Sequence, residues 1–175
     1  MNHLIPPIHE SDHFLGNRGS PAVLVEYGDF ECPYCGQAYG VLKNLEKELG
    51  DAMALVFRHF PLTQVHPHAL QAAEASEAAG ALGNFWGYHD LLFENQDRLS
   101  YPDLKLYAQQ LQLDEIAFDN QMRRNIRLRH VREHISSGVR SGVNGTPTFF
   151  INEQRYDGPT DVASLLDAIG RLVRI

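Results

Sequence analysis

Apolar and polar positions change their spacing several times along this chain, and each change indicates a different kind of element. Residues 23–27 and 53–60 are nearly continuous apolar runs, which are typical of buried strands. Between them, residues 37–49 place apolar side chains three and four positions apart, which predicts an amphipathic helix ending near Gly50. Two strands joined by a helix form a βαβ unit, so we expect parallel strands and a right-handed connection.

The next stretch of the chain contains no strand pattern. It begins with an alanine-rich segment, and polar residues able to cap helices recur through it. Ser100 and Asp103 match a capping box, and Asp114 is a second candidate cap. Helices are expected over 69–82 and 85–97, after Ser100, after Asp114, and over 122–136.

Strand character returns at residues 146–151, followed by a turn and a short strand at 155–157. An amphipathic helix follows, for which Thr160 or Asp161 is the expected cap. Residues 1–20 are rich in Pro, His, Gly and polar residues and are interpreted as an arm. The chain therefore predicts an α/β fold in which a block of helices interrupts the strands.

The two cysteines of the chain stand at the junction between the first strand and its helix. Cys32 falls at the N-cap position, and Pro33 falls at the first helical position, which proline tolerates well. Cys35 lies one turn further on, close enough for a disulfide to form. Because a helix N-terminus stabilises an anion, a Cys32 thiolate is favoured, and a thiolate beside a second thiol suits thiol–disulfide exchange.

Three other interpretations of the cysteines stay open. A purely structural disulfide across so short a loop would remove little entropy from the unfolded chain. A metal-binding module could combine Cys32 and Cys35 with histidines such as His130 and His134, although zinc needs four ligands and these lie far apart in sequence. A glutathione-dependent isomerase or transferase would activate an external thiol and would not need the second cysteine.

Four segments together resemble the DsbA-like thioredoxin family. They are residues 12–16 (DHFLG), 25–35 (VEYGDFECPYC), 57–62 (FRHFPL) and 142–150 (GVNGTPTFF). The resemblance covers nearly the whole chain from about Asp12. It implies a thioredoxin fold with an all-helical insertion between the βαβ unit and the final hairpin and helix. The thioredoxin-like domain would comprise residues 1–61 and 140–175, and the helical insertion subdomain residues 62–139.

The same resemblance implies the activity of a protein disulfide oxidoreductase, with a role for each matching position. Cys32 would be the exposed nucleophile that enters a mixed disulfide, and Cys35 the buried thiol that resolves it. Pro147 matches the family's cis-proline, which lies against the cysteine pair. Thr146 would offer its backbone to an extended substrate peptide.

Three further residues are expected to adjust the thiols. Pro33 and Tyr34 separate the cysteines and are the tuning positions. Glu26 lies in the apolar strand before them, where desolvation would raise the pKa of its carboxyl and suit it to move a proton to or from Cys35. The alternative is that Glu26 faces solvent on an alternating edge strand.

Composition limits the partners and the compartment. The 175 residues are 43% hydrophobic and 21% charged with a net charge of −7, which gives no reason to expect nucleic acid or an anionic membrane. No apolar run reaches the roughly 20 residues of a membrane span. The N-terminal residues 1–11 lack the features of a signal peptide, which predicts a cytoplasmic location. Removal of a leader would instead mean a periplasmic or extracellular one.

The expected partners are protein thiols or disulfides, together with a redox partner protein or glutathione. No cofactor is expected beyond the redox-active Cys32–Cys35 disulfide, and no metal.

Overall fold

A five-stranded mixed sheet forms the centre of the part of the chain that the computed structural model describes, residues 3–173. Its strands are β1 (His13–Leu15), β2 (Ala22–Gly28), β3 (Met53–His59), β4 (Thr148–Ile151) and β5 (Gln154–Tyr156). They lie in the order β1-β3-β2-β4-β5. β2 and β3 are parallel, as the βαβ pattern predicts, and the other neighbouring pairs are antiparallel. β2 is therefore the central strand.

The helices of the described chain account for most of the remaining structure. They are α1 (Pro33–Leu49), α2 (Ala69–Ala81), α3 (Phe85–Glu94), α4 (Tyr101–Gln110), α5 (Glu115–Arg123), α6 (Leu128–Arg140) and α7 (Val162–Val173). α2 to α6 stand between β3 and β4 in the chain, as the sequence predicts. None of the described helices combines the length and apolar character needed to cross a bilayer.

The two faces of the sheet are covered by different helices. One face packs on α1 and α7 through a cluster of buried apolar side chains. The strands contribute Leu24, Leu55, Phe149 and Ile151, α1 contributes Leu42 and Leu45, and α7 contributes Leu165 and Ile169. On the opposite face lie Val25, Tyr27, Val56 and Phe150. The Tyr27 hydroxyl there shares a 2.5 Å hydrogen bond with Ser137 of α6. Because side chains alternate along a strand, Glu26 shares the α1 face with Leu24.

A third apolar cluster joins the inserted helices to the beginning of α1. It contains Ala72, Ala75 and Ala79 of α2, Tyr88 and Leu92 of α3, Leu104, Phe118, and also Phe30, Phe57, Cys32 and Cys35. The cysteines therefore lie in the same apolar cluster as the helices that interrupt the strands, and this contact positions the turn that carries them.

Several element boundaries differ from those predicted. Residues 13–15 were expected in an arm, but they form edge strand β1, in which His13 pairs with Phe57 of β3. The sequence pattern does not reveal this strand, because three residues are too few to show the alternation of apolar and polar positions. The helix expected over 122–136 is α6, beginning at Leu128, because Asn125 has a left-handed φ of 47° that separates it from α5. Likewise α3 ends at Glu94, and β4 begins only at Thr148.

The expected helix caps are present in two places and altered in a third. The Asp114 carboxylate accepts a hydrogen bond from the Ala117 amide, and Asp161 accepts one from the Ser164 amide. At α4 the Ser100 hydroxyl donates to the Asp103 carboxylate at 2.5 Å instead of accepting from a backbone amide. Ser100 is the N-cap of α4 as predicted, and the Asp103 carboxylate interacts with its backbone amide, but the half of the capping box in which the Ser100 hydroxyl accepts from a backbone amide is absent.

The close approach of α6 to the sheet generates a testable prediction. A Cβ on Gly138 would lie 2.6 and 2.8 Å from the Phe60 ring, and 3.2 Å from Tyr27, whereas a Cβ on Gly40 of α1 would meet nothing within 4 Å. We expect Gly138→Ala to lower the free energy of unfolding by about 1–3 kcal/mol through overpacking. Gly40→Ala is the control and should raise it by roughly 0.5–1 kcal/mol. Denaturant unfolding measures both, and equal effects would contradict the packing argument.

Candidate active site

The cysteine pair is held by the turn between β2 and α1. Cys32 is the N-cap of α1 with extended backbone angles, φ −75° and ψ 121°, and Pro33 begins the helix. The Cys32 amide donates to the Asp29 carbonyl at 3.1 Å, and the Gly36 amide donates to the Cys32 carbonyl at 3.1 Å. Both cysteines are free thiols. The predicted placement of the pair at a strand-to-helix junction is confirmed.

The environments of the two thiols shift their pKa values in opposite directions. A hydrogen bond from the Cys35 thiol is the largest influence on Cys32 and, with backbone amides of the first turn, lowers the pKa of Cys32 to about 5 against an opposing effect of burial. Burial raises the pKa of Cys35 far above its ordinary value, and the hydrogen bond to Cys32 and the charge of Glu26 raise it further. At neutral pH Cys32 is therefore a thiolate and Cys35 a thiol.

Cys32 is less accessible than the sequence led us to expect. Its exposed fraction is 3%, against 0% for Cys35, so the expectation of an exposed nucleophile is wrong for this reduced conformation. The Sγ atom lies 3.4 Å from the Thr146 carbonyl, and the Gln96 amide donates to the carbonyls of Phe30 and Cys32 at 2.9 and 2.8 Å. The loop before β4 and a residue after α3 thus close over the turn.

The predicted substrate loop lies against Cys32. The Thr146–Pro147 peptide bond is cis, and both residues are partly buried. The buried Thr146 hydroxyl contributes to the lowered pKa of Cys32 by stabilising its thiolate. Among the described residues it has no other hydrogen-bond partner. The backbone of this loop therefore lies beside the Cys32 sulfur, where a peptide joined to that sulfur would pass. The roles of Thr146 and Pro147 in binding stay predictions.

The two tuning positions between the cysteines are exposed to solvent. Pro33 occupies the first helical position, and the Tyr34 side chain has an exposed fraction of 68%. The backbone amide of Tyr34 contributes to the lowered pKa of Cys32. The effect of Tyr34 on the thiolate in this structure thus comes from its backbone.

Glu26 is buried on the central strand, with an exposed fraction of 1%. Burial raises the pKa of its carboxyl to about 8, and the negative charge of the Cys32 thiolate contributes to the rise. Its Oε1 atom has no hydrogen-bond partner among the described residues. The alternative of a solvent-facing Glu26 on an edge strand is therefore wrong, because β2 is covered on both faces.

A buried Asp29 organises the turn, and the sequence did not single it out. Its carboxylate accepts hydrogen bonds from the Leu62 amide at 2.8 Å, the Glu31 amide at 2.8 Å and His66 Nδ1 at 2.7 Å. Burial alone would lower the pKa of His66, but the bond to Asp29 and its charge raise that pKa overall. Sequence spacing gives no signal for Gln96 or for the contacts of Asp29 with Leu62 and His66, since these partners lie elsewhere in the chain, and only the bond from the Glu31 amide is local.

The histidines proposed as zinc ligands do not join the cysteines. Among the described residues, the groups able to share one ion are His13 with Glu77 and His130, and His59 with Glu77 and His134. Neither group contains Cys32 or Cys35. The alternative that combines the cysteines with His130 and His134 in one metal site is therefore wrong.

The sequence and fold of this chain were compared with those of known proteins. The family model described as Thioredoxin matches residues 9–171. The structure of oxidised BdbD from Bacillus subtilis superimposes with a TM-score of 0.87 at 20% identity, covering 100% of this chain and 98% of that one. The structure of alpha-DsbA1 from Wolbachia pipientis gives a TM-score of 0.81 at 20% identity, covering 97% and 94%. These matches confirm the predicted fold class.

The curated relatives are longer proteins. A protein of Mycobacterium sp. (strain KMS) named Na(+)/H(+) antiporter NhaA 1 is 42% identical over 169 residues, which are 95% of this chain and 28% of that protein. The chain thus spans between a quarter and a third of the length of this relative.

The opposite pKa shifts predict which thiol reacts. Alkylation of the reduced protein should modify Cys32, with a rate that follows a titration midpoint near pH 5, and should leave Cys35 unmodified. Cys35→Ala should raise the midpoint, because it removes the hydrogen bond that stabilises the thiolate. Mass mapping of the alkylated peptides across pH measures both effects. Equal rates at the two thiols would contradict the assignment.

Proposed function

We propose that this chain, which belongs to the thioredoxin family, is a disulfide oxidoreductase that exchanges disulfides with other proteins through Cys32 and Cys35. One observation carries the proposal: two neighbouring thiols at a helix N-terminus have strongly opposed pKa values. A thiolate is the nucleophile of disulfide exchange, and a protonated neighbour is held in reserve to resolve the mixed disulfide.

In the reducing direction, the Cys32 thiolate attacks one sulfur of a substrate disulfide. A bond forms between Cys32 and the substrate, and the other substrate sulfur leaves as a thiolate. Cys35 then loses its proton and attacks the Cys32 sulfur, which forms the Cys32–Cys35 disulfide and releases the second substrate thiolate. Two electrons pass from the cysteine pair to the substrate. The oxidising direction is the same sequence reversed.

Glu26 is proposed as the acceptor of the Cys35 proton. Cys35 must ionise where burial strongly disfavours its thiolate, so a nearby base lowers the barrier. With a pKa of about 8, Glu26 can take and return a proton near neutral pH. Its position on the α1 face of β2, and the influence of its charge on Cys35, support this role.

Substrates are proposed to be proteins that bind as extended chains along the loop of Thr146 and Pro147. The lowered pKa of Cys32 stabilises the reduced form, which favours transfer of the disulfide to a substrate. An oxidised redox partner protein or glutathione disulfide would then accept two electrons and restore the Cys32–Cys35 disulfide. The cytoplasmic location predicted from the sequence stays a prediction. The test is the reduction potential of the Cys32–Cys35 couple, measured in equilibrium with glutathione. If it is higher than the redox potential of a given compartment, the disulfide form will oxidise protein thiols in that compartment.

The two cysteines should fail in different ways when replaced. Cys32→Ser should abolish reduction of a disulfide-bonded test peptide, because the attacking sulfur is gone. Cys35→Ser should accumulate a mixed disulfide through Cys32, because resolution is blocked. Mass spectrometry of the acid-quenched reaction measures the adduct. The proposal is wrong if Cys35→Ser turns over normally or if the adduct forms at Cys35.

Glu26→Gln should slow resolution of the mixed disulfide and leave the first attack by Cys32 largely unchanged. The expected loss is about 10²–10⁴-fold, the usual contribution of a positioned acid or base. Single-turnover kinetics separates the two steps. Glu48→Gln, an exposed position on α1, is the control and should match the wild type. A resolution step that is unchanged across neutral pH would remove Glu26 from the mechanism.

The same variant has an expected effect on stability. The Glu26 pKa is raised from 4.5 to about 8 on folding, so the folded state holds a proton that the unfolded state releases between these values. The Glu26 contribution to the stability of the reduced protein should fall as pH rises through this window, by about 1.4 kcal/mol for each pKa unit of the shift. The lowered pKa of Cys32 acts in the opposite direction above about pH 5, so the Glu26 contribution is measured as a difference. In denaturant unfolding, the stability of Glu26→Gln relative to the wild type should rise between about pH 4.5 and 8. An identical pH dependence would contradict the assigned shift.

A further inference from the structure

A second cluster of titratable side chains lies away from the cysteines, where strand β1 meets helices α2 and α6. The carboxylate of Glu77 is its centre, with an exposed fraction of 5%. Three imidazole Nε2 atoms surround Glu77 Oε1, at 3.0 Å from His13, 2.8 Å from His59 and 3.7 Å from His130. The proposed redox chemistry uses none of these residues.

Hydrogen bonding explains only part of this arrangement. Neutral His13 and His59 can each donate one hydrogen bond to the Glu77 carboxylate, which satisfies it. His130 Nε2 is too distant for a hydrogen bond. However, two ligands of one tetrahedral zinc ion, with bonds of about 2.0–2.1 Å, stand roughly 3.3 Å apart. The separations of His13 and His130 from Glu77, 3.0 and 3.7 Å, lie on either side of this value.

We propose that His13, Glu77 and His130 form a binding site for a divalent transition-metal ion, zinc in the first instance. Their ligand atoms all lie within 4.8 Å of one another. Two imidazoles and one carboxylate are a ligand set that suits zinc and neighbouring metals, whereas Ca²⁺ and Mg²⁺ prefer oxygen. The site lies on different elements from Cys32 and Cys35 and uses no sulfur.

Access from solvent favours the group of His13, Glu77 and His130 over the second possible group, which shares Glu77 with it. His59, Glu77 and His134 are all buried, so an ion would have no open path to them. His13, Glu77 and His130 instead line a surface groove of about 290 Å³. A fourth coordination position can therefore be filled by water from the groove, or by His59 from the interior side.

The neighbouring residues hold the proposed ligands in place. The His13 ring stacks on Phe85 with centroids 3.6 Å apart and planes 3° from parallel. The Glu133 carboxylate lies 3.7 Å from Nδ1 of His130, the nitrogen opposite the proposed ligand atom, which is beyond hydrogen-bond distance. A carboxylate hydrogen-bonded behind a ligating histidine orients its ring, and Glu133 would take this part on moving closer when the ion binds. A metal here would join edge strand β1 to α2 and α6.

Zinc binding by the full chain tests the proposal. The protein is reduced, Cys32 is blocked by alkylation, and ZnCl₂ is titrated in competition with a chromophoric chelator. We expect one zinc ion per chain, and the same in Cys32→Ser/Cys35→Ser. His130→Ala, at a partly exposed position, and Glu77→Gln, which keeps the side-chain shape, should each weaken binding by at least about tenfold. His68→Ala, an exposed histidine outside the cluster, is the control and should bind as the wild type.

Cobalt absorption and calcium competition test the coordination and the metal preference of the proposed site. CoCl₂ should give the visible absorption of a four-coordinate ion in the wild type and in the double cysteine variant, and weak or no absorption in His130→Ala. CaCl₂ should not compete. Loss of zinc binding in the double cysteine variant, equal affinity for calcium, or wild-type affinity in both His130→Ala and Glu77→Gln would each overturn the proposal. Circular dichroism confirms that each variant is folded.

Discussion

The hydrogen bond from the Cys35 thiol to the Cys32 sulfur is the interaction on which the chemistry of this protein depends. The two sulfurs share one proton, and this proton resides on Cys35. Burial disfavours a negative charge on Cys35, whereas the first turn of α1 stabilises a negative charge on Cys32. The same bond therefore keeps one sulfur as a thiolate and the other as a thiol, which are the states that the proposed exchange requires. Forming the disulfide removes both the proton and the charge, which couples redox state to the electrostatics around Glu26.

The fold shields Cys32 and Cys35 from water. β2 is the central strand, so its end delivers the turn to the middle of the sheet edge, and Glu26 is buried between the sheet and α1. The inserted helices contribute the remaining cover through the apolar cluster that contains both cysteines. Gln96 ties that cover to the turn itself by bonding two of its carbonyls. The proposed path of a substrate to Cys32 therefore runs along the loop of Thr146, whose carbonyl lies 3.4 Å from the sulfur.

The N-terminal segment is held by a buried ion pair instead of an apolar run. The Arg58 guanidinium of β3 donates to Asp12 at 2.9 and 2.8 Å and to the carbonyls of Pro6 and Pro7. This fixes the chain just before β1 and so brings His13 to Glu77. A buried pair of this kind is costly to break because it leaves an unpaired charge, so the segment is held firmly. The proposed metal site depends on that anchoring as much as on its own ligands.

The sequence by itself determined the βαβ unit, the helical block, the hairpin with its final helix, and the position of the cysteines at a helix start. These follow from local periodicity and from residues a few positions apart. Tertiary structure alone decided that β1 exists, that Cys32 is covered, that Asp29 and Gln96 hold the turn, and that the histidines gather on Glu77 instead of the cysteines. Each of these depends on residues that are distant in the chain and meet only when the sheet and helices pack, and no local pattern records such a contact. Glu26 lies between the two cases, because its apolar strand suggested burial and only the sheet order established it.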